Sequence, residues 1–205
     1  MVKIGVCGSI CAGKSTFCKY LESKYQCHLI DADKVGHECY LKDTPCYNQI
    51  LEHFSDIVID EITDEIDRKR LGNIVFNDKD QMTKLQEIVW PDIKNKIQRR
   101  IDALEKETPR KPIIVEAAIL IEADWADLFD VVVILHADND IVIDRLVNRN
   151  KLSIDEARRR LMLQLTTDQK KDKLKNINHI VIENNQDMET LLNSRAFSSF
   201  VETYI

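Results

Sequence analysis

Residues 8–15 read Gly-Ser-Ile-Cys-Ala-Gly-Lys-Ser, and no other stretch of this chain restricts its possible folds so sharply. The octet fits the pattern G-x-x-x-x-G-K-[ST], and both flanks suit it. An apolar run at 2–7 reads as a strand, and 14–24 reads as a helix with Phe17, Tyr20 and Leu21 on one face. A strand, a tight turn and a helix in that order make a phosphate-binding loop. Backbone N–H groups turn inward, and the helix N-terminus adds roughly half a positive charge. Gly8 and Gly13 permit the backbone angles and the close approach that a side chain would block. The whole segment (Gly8, Ser9, Ile10, Cys11, Ala12, Gly13, Lys14, Ser15 and Thr16) is expected to wrap the phosphates of ATP. Lys14 should reach the β- and γ-phosphates, the Ser15 hydroxyl should ligate Mg²⁺, and Thr16 is placed to touch the α-phosphate.

Four further apolar runs read as strands: 27–30, 112–116, 131–136 and 179–182. Continuous runs such as Val-Val-Val-Ile-Leu at 131–135 suit strands buried on both faces of a parallel sheet. Helical spacing recurs at 44–54, 68–76, 80–104, 141–149, 153–169 and 187–204, and Ser153 with Glu156 forms a capping-box pattern. Strands alternating with helices predict an α/β fold: a parallel five-stranded P-loop NTPase or kinase sheet with helices on both faces. The stretch 34–111 carries few strand signals and is expected to be a mostly helical insertion. Residues 1–33 and 112–205 then form the nucleotide-binding core, with a helical lid at about 145–170.

A phosphate loop alone does not separate kinase, ATPase and switch; a group that manages an acceptor's proton does. Asp33 is that candidate, because Asp31-Ala32-Asp33 follows the second strand at its C-terminal end, where open α/β sheets bind ligands. Asp31 and Asp33 share a side if the strand continues through them. Asp33 is assigned as general base and Asp31 a capping or supporting role; plain helix capping is the alternative. Glu116 ends the third strand where an acid can help hold Mg²⁺. Lys14 and the late-helix arginines complete the expected catalytic set, with Arg149 first as a mobile cation over the transferring group and Arg145 second, at the nucleotide.

Composition narrows the partners. A formal net charge of -6 argues against a nucleic-acid or anionic-membrane surface, and no apolar stretch approaches the roughly 20 residues of a membrane span. The six cysteines (Cys7, Cys11, Cys18, Cys27, Cys39 and Cys46) show neither C-x-x-C pairs nor zinc-finger intervals, and read as reduced thiols of a cytoplasmic protein. No protein partner is implied.

Taken together, these segments resemble the dephospho-CoA kinase family along nearly the whole chain. The phosphate loop is followed by Leu-Ile-Asp-Ala-Asp at 29–33, Ile66-Asp67-Arg68 with Leu71 and Val75-Phe76, Trp90-Pro91, and Glu-Ala-Ala-Ile-Leu-Ile-Glu at 116–122. Arg145, Arg149, Gln164 and His-Ile-Val-Ile-Glu-Asn at 179–184 close the series. The resemblance implies transfer of the γ-phosphoryl of ATP to the 3′-hydroxyl of dephospho-CoA, giving CoA and ADP. It also implies Asp33 as base, Arg149 as lid cation, and substrate contacts from Arg68, Trp90, Leu120 and Glu122. Ser9, Cys11 and Ala12 replace a more Gly-rich loop, Trp90 stands where His is common, and Glu116-Ala117-Ala118 replaces Asp-x-Pro. Trp90 cannot transfer a proton as His could, so packing or stacking is expected of it. The chain reads as a monofunctional version. The competing expectations are a shikimate- or gluconate-type kinase of the same fold, and a nucleotide-dependent switch with no acceptor.

Overall fold

A computed structural model describes residues 1–205, except for the side chain of Asp56. Five strands form one parallel sheet: β1 (Lys3–Gly8), β2 (His28–Asp31), β3 (Ile113–Glu116), β4 (Val131–His136) and β5 (His179–Glu183), in the order β2-β3-β1-β4-β5. β1 lies between β3 and β4, with Gly5 in register with both Val115 and Val132. β1 is therefore held from both sides as far as Val6, and its last two residues, where the phosphate loop begins, are held by β4. The expected α/β fold is the observed one.

Side chains alternate across the sheet, and each face has its own cover. On one face Ile4, Val6, Val133 and Leu135 form a core with Phe17 and Leu21 of helix α1 (Lys14–Tyr25). Leu191 of α9 (Met188–Leu192) and Phe197 and Phe200 of α10 (Arg195–Tyr204) complete it. Phe17 stands edge-on to Phe197 with ring centroids 6.0 Å apart. On the other face Leu120 and Phe129 press so closely on Gly5 that a Cβ there would come within 2.7 Å of each.

The chain divides into two compact units. One contains Met1–Asp31 and Ile101–Ile205, the other Ala32–Arg100. The divisions fall at 31/32 and 100/101, against the 33/34 and 111/112 read from the sequence. The second lies inside a continuous helix, where composition carries no linker signal. The Ala32–Arg100 unit holds α2 (Ala32–His37), α3 (Pro45–Phe54), α4 (Arg68–Phe76) and most of α5 (Lys79–Glu107). α3 is capped by Thr44 with Pro45 at its first position, and α4 by Asp67, whose carboxylate accepts from the N–H groups of Lys69 and Arg70. α5 runs on through Pro91, giving up one backbone hydrogen bond there. Residues Ile59 and Ile66 add an isolated antiparallel bridge.

Three local expectations need correction. The strand does not continue through Asp33: β2 ends at Asp31 and Ala32 opens α2, so the same-side rule does not apply to Asp31 and Asp33. The single helix expected over 153–169 is two, α7 (Ile154–Met162) and α8 (Thr167–Lys173). A second capping box, Thr166 with Gln169, starts a new helix where the apolar spacing alone suggested continuation. The expected closing helix likewise splits into α9 and α10, because Ser194 caps Phe197. Between β4 and α7 runs α6 (Asn139–Asn150). Among the described residues no helix is long and apolar enough to cross a membrane.

The aromatic cluster under the phosphate loop supplies a stability test. Phe17→Ala is expected to cost about 3–5 kcal/mol, and Phe17→Leu considerably less, since it keeps most of the volume against Phe197 and Phe200. Urea or thermal unfolding followed by far-UV circular dichroism reads the difference, and a near-neutral Phe17→Ala would contradict the packing.

Candidate functional site

The loop between β1 and α1 is held in its shape by glycine conformations and by side chains that arrive from far along the chain. Gly8 sits at φ +144, and a Cβ there would meet the Leu135 carbonyl oxygen at 2.2 Å. Gly13 sits at φ +95, and a Cβ there would meet the Asn184 amide nitrogen at 2.4 Å. Cys11 also takes a left-handed conformation, φ 56, which a cysteine seldom adopts. Gly13 occupies the N-cap position of α1 with no side-chain cap, so no side chain competes for the N–H groups opening the helix.

Three distant side chains engage the loop backbone. The buried Asn184, just past β5, donates to the Ala12 carbonyl at 2.8 Å, and its own N–H reaches the His136 carbonyl. Gln164, between α7 and α8, accepts from the Ile10 N–H at 2.8 Å. Arg145 of α6 donates to the Cys11 carbonyl at 3.3 Å and to the Gln186 carbonyl at 2.7 Å. The loop is thus tied to α6, to the α7–α8 link and to the end of β5. These tasks of Asn184 and Gln164 were not legible in the sequence. The hints were that both residues belong to the closing series of the family resemblance and that Asn184 follows the last strand at its C-terminal end, where ligands are bound.

Lys14 donates to the carbonyls of Gly8 and Ser9, at 3.2 and 3.0 Å, so its ammonium lies over the mouth of the loop. The Ser15 hydroxyl donates to Glu116 Oε1 at 2.6 Å. The two residues expected at the metal are therefore adjacent, and Asp31 pairs in register with Glu116 on the next strand. Two oxygen donors beside a phosphate loop are the chemistry that a hard cation such as Mg²⁺ takes. Beyond the loop's outer end lies a cavity of about 580 Å³, lined by Thr16, Arg145, Arg149, Asn184, Gln186 and Met188 among others. Arg149, the penultimate residue of α6, is exposed at its rim.

The remaining expected residues are less uniform. Leu120 is fully buried against Gly5, so its side chain belongs to the core, a correction to the substrate contact expected of it. Glu122 carries Oε1 3.6 Å from the ammonium of Lys170, a residue of α8 only 1% exposed. An ion pair therefore occupies the carboxylate expected at the substrate. Asp33, Arg68 and Trp90 belong to the other unit: Asp33 is exposed in the first turn of α2, Arg68 is exposed at the start of α4, and Trp90 is half-buried in α5. Burial pushes the Cys7 thiol up to about 12 and raises Cys18 as well, so these two thiols stay protonated and unreactive beside the loop.

Comparison with known proteins places the chain in a family. The family model for dephospho-CoA kinase matches residues 2–190. A dephospho-CoA kinase of Oceanobacillus iheyensis is 35% identical over 91% of this chain and 90% of its own length. One of Geobacter metallireducens is 36% identical over 83% of each chain. Among solved structures, a dephospho-CoA kinase from Campylobacter jejuni superposes with a TM-score of 0.66 at 27% identity, covering 98% of this chain and 95% of that one. A Thermus thermophilus protein superposes with a TM-score of 0.77 at 22% identity over 100% and 98% of the two chains, which establishes the shared fold.

The Gly13–Asn184 contact separates two sources of strain. Gly13→Ala is expected to destabilise the protein both by the overlap with Asn184 and by the left-handed backbone. Adding Asn184→Ala should relieve the overlap while leaving about 1–2 kcal/mol of backbone cost. Thermal midpoints of the two variants and of Asn184→Ala alone check this; full recovery in the double variant would contradict the backbone part.

Proposed function

The chain belongs to the dephospho-CoA kinase family, and from that membership and the geometry of its loop we propose that it transfers the γ-phosphoryl of ATP to the 3′-hydroxyl of dephospho-CoA, giving CoA and ADP. The observation that carries the acceptor is the family match over residues 2–190; the Ser15–Glu116 pair beside a loop whose lysine lies over its mouth supports the ATP side of the reading. In this reading the inward N–H groups from Gly13 to Thr16 hold the phosphates, and Lys14 leaves the Gly8 and Ser9 carbonyls for the β- and γ-phosphate oxygens. Ser15 and Glu116 hold Mg²⁺, which when bound offsets the charge of the phosphate oxygens. The base and ribose of the nucleotide lie in the cavity past Thr16. Its size falls within the usual range for a small-molecule site, and it offers an apolar wall at Met188 with polar groups at Asn184 and Gln186.

Asp33 is assigned to the acceptor. It follows the last residue of β2 by two positions, and its carboxylate takes or orients the proton of the attacking hydroxyl. Arg149 supplies a mobile cation for the transferring group, and its exposed place at the end of α6 suits a residue that moves on closure. Arg145, tied to two loop carbonyls, is better suited to hold the nucleotide side of the loop in place. Arg68 is assigned to a phosphate of the CoA-like substrate, and Trp90 to packing or stacking. We place the reaction in the cytoplasm, in keeping with six free cysteines and a net charge of -6.

A coupled ADP assay tests the reading. ADP formation should depend on dephospho-CoA and be absent with shikimate or gluconate; turnover of either hydroxy acid with dephospho-CoA inert would sink the assignment. Asp33→Asn should retain ATP binding and lower kcat by roughly 10²–10⁴-fold, the span of a general acid–base group. Near-normal turnover in that variant would remove Asp33 from its proposed role.

A further inference from the structure

In the Ala32–Arg100 unit three side chains that phosphoryl transfer leaves unused converge on one point. The sulfurs of Cys39 and Cys46 and a carboxylate oxygen of Asp92 all lie within 4.8 Å of one another. They come from three separate segments: a 3₁₀ turn at Glu38–Tyr40, the second residue of α3, and the middle of α5. Cys39 is 0% and Cys46 2% exposed, while the Asp92 side chain is 26% exposed. Lys96, one turn further along α5, donates to Asp92 and brings its ammonium 3.9 Å from the Cys39 sulfur. The Cys39 sulfur also lies 3.8 Å from the Val35 carbonyl.

We propose that Cys39, Cys46 and Asp92 form a binding site for one thiophilic divalent cation of the Zn²⁺ type, with water completing the coordination. Buried thiols ordinarily act as small hydrophobes against hydrocarbon. Here two thiols face each other and a carboxylate instead, and that carboxylate already draws the nearest cation on its helix. Two sulfurs and one oxygen suit zinc, and three protein ligands with a fourth position for water is a familiar zinc arrangement. Zinc–sulfur bonds of about 2.3 Å and zinc–oxygen bonds of about 2.0–2.2 Å set tetrahedral ligand atoms a little under 4 Å apart. Closing to that separation from at most 4.8 Å asks for less than about 1 Å of movement between ligand atoms.

Charge favours the same reading. When the metal binds, both thiols give up their protons, and the cluster with Lys96 beside it is as neutral as it was with the thiols protonated and no metal. Burial therefore does not penalise the loaded form through uncompensated charge. Asp92 and the partly exposed Lys96 mark the route in, and Lys96 can keep one oxygen of Asp92 while the metal takes the other. A disulfide between the two sulfurs is the competing fate. It requires a two-electron oxidant and gives the Asp92 carboxylate beside the sulfurs no part, which is why the metal is preferred.

The test is a Co²⁺ titration of chelator-stripped full-length protein, kept reduced with a phosphine. One equivalent should bind with a thiolate-to-metal charge-transfer band, and Zn²⁺ should abolish the band by displacement. Cys39→Ser and Cys46→Ser should each reduce it, while Cys27→Ser should leave it in place. Asp92→Asn, which removes a ligand but no packing, should keep the thiolate band and weaken binding by about 10-fold or more, at least the effect of losing an outer-shell partner. The Asp92→Asn result keeps the test decisive should a cysteine variant fail to fold. The proposal is overturned by the lack of a thiolate band at one equivalent, by a band indifferent to Cys39 and Cys46, or by an unchanged affinity in Asp92→Asn. Peroxide treatment that joins Cys39 to Cys46 in a protein that takes up no metal would overturn it in favour of a disulfide.

Discussion

Everything about the nucleotide side of this protein depends on holding a short stretch of backbone in conformations that most residues avoid. Gly8, Cys11 and Gly13 all have positive φ, and their N–H groups can turn inward only while that shape persists. Two glycines lower the cost of the shape, but they do not by themselves select it. Selection comes from the Asn184 amide on the Ala12 carbonyl, the Gln164 carbonyl on the Ile10 N–H, and the Arg145 guanidinium on the Cys11 carbonyl. Beneath them Phe17, Phe197 and Phe200 pack α1 against the sheet, so the helix whose N-terminus faces the phosphates cannot drift from β1. A charged ligand then meets donors already aimed at it, and little reorganisation is needed on binding.

How much of this was legible in the residues differs from element to element. The run at 131–136 could hardly be anything but a buried central strand, because five apolar residues in succession suit a strand covered on both faces, and β4 has those bounds. The loop was equally plain, since its pattern fixes both side chains and neighbours in space. The split between α7 and α8 was hidden because the apolar spacing runs on past it. The decision belonged to Thr166 and Gln169, a second capping box inside what looked like one helix. Leu120 was misread for a related reason, and Glu122 has an ion pair that its place along the chain did not announce. Resemblance places a residue at a position along the chain, whereas packing against Gly5 and pairing with Lys170 decide where the side chain goes.

The contacts of Gln164 and Asn184 were illegible for a more general reason. Each lies more than 150 residues from the backbone atom it holds, and a single amide side chain carries no periodicity or spacing that would reveal its partner. The same is true of Cys39, Cys46 and Asp92, whose intervals match no metal pattern but which the turn, α3 and α5 bring together. Fold class is written in repeating patterns, and a site of this kind is written in tertiary coincidence.

The most direct measurement of the central claim follows the phosphoryl group itself. With ATP labelled at the γ-position, the account predicts that the label passes to the 3′-hydroxyl oxygen of dephospho-CoA, identified by phosphorus NMR of the product, with one ADP formed per label transferred. Label recovered only as inorganic phosphate, at a rate indifferent to dephospho-CoA, would contradict it and leave a loop that binds and hydrolyses nucleotide without an acceptor.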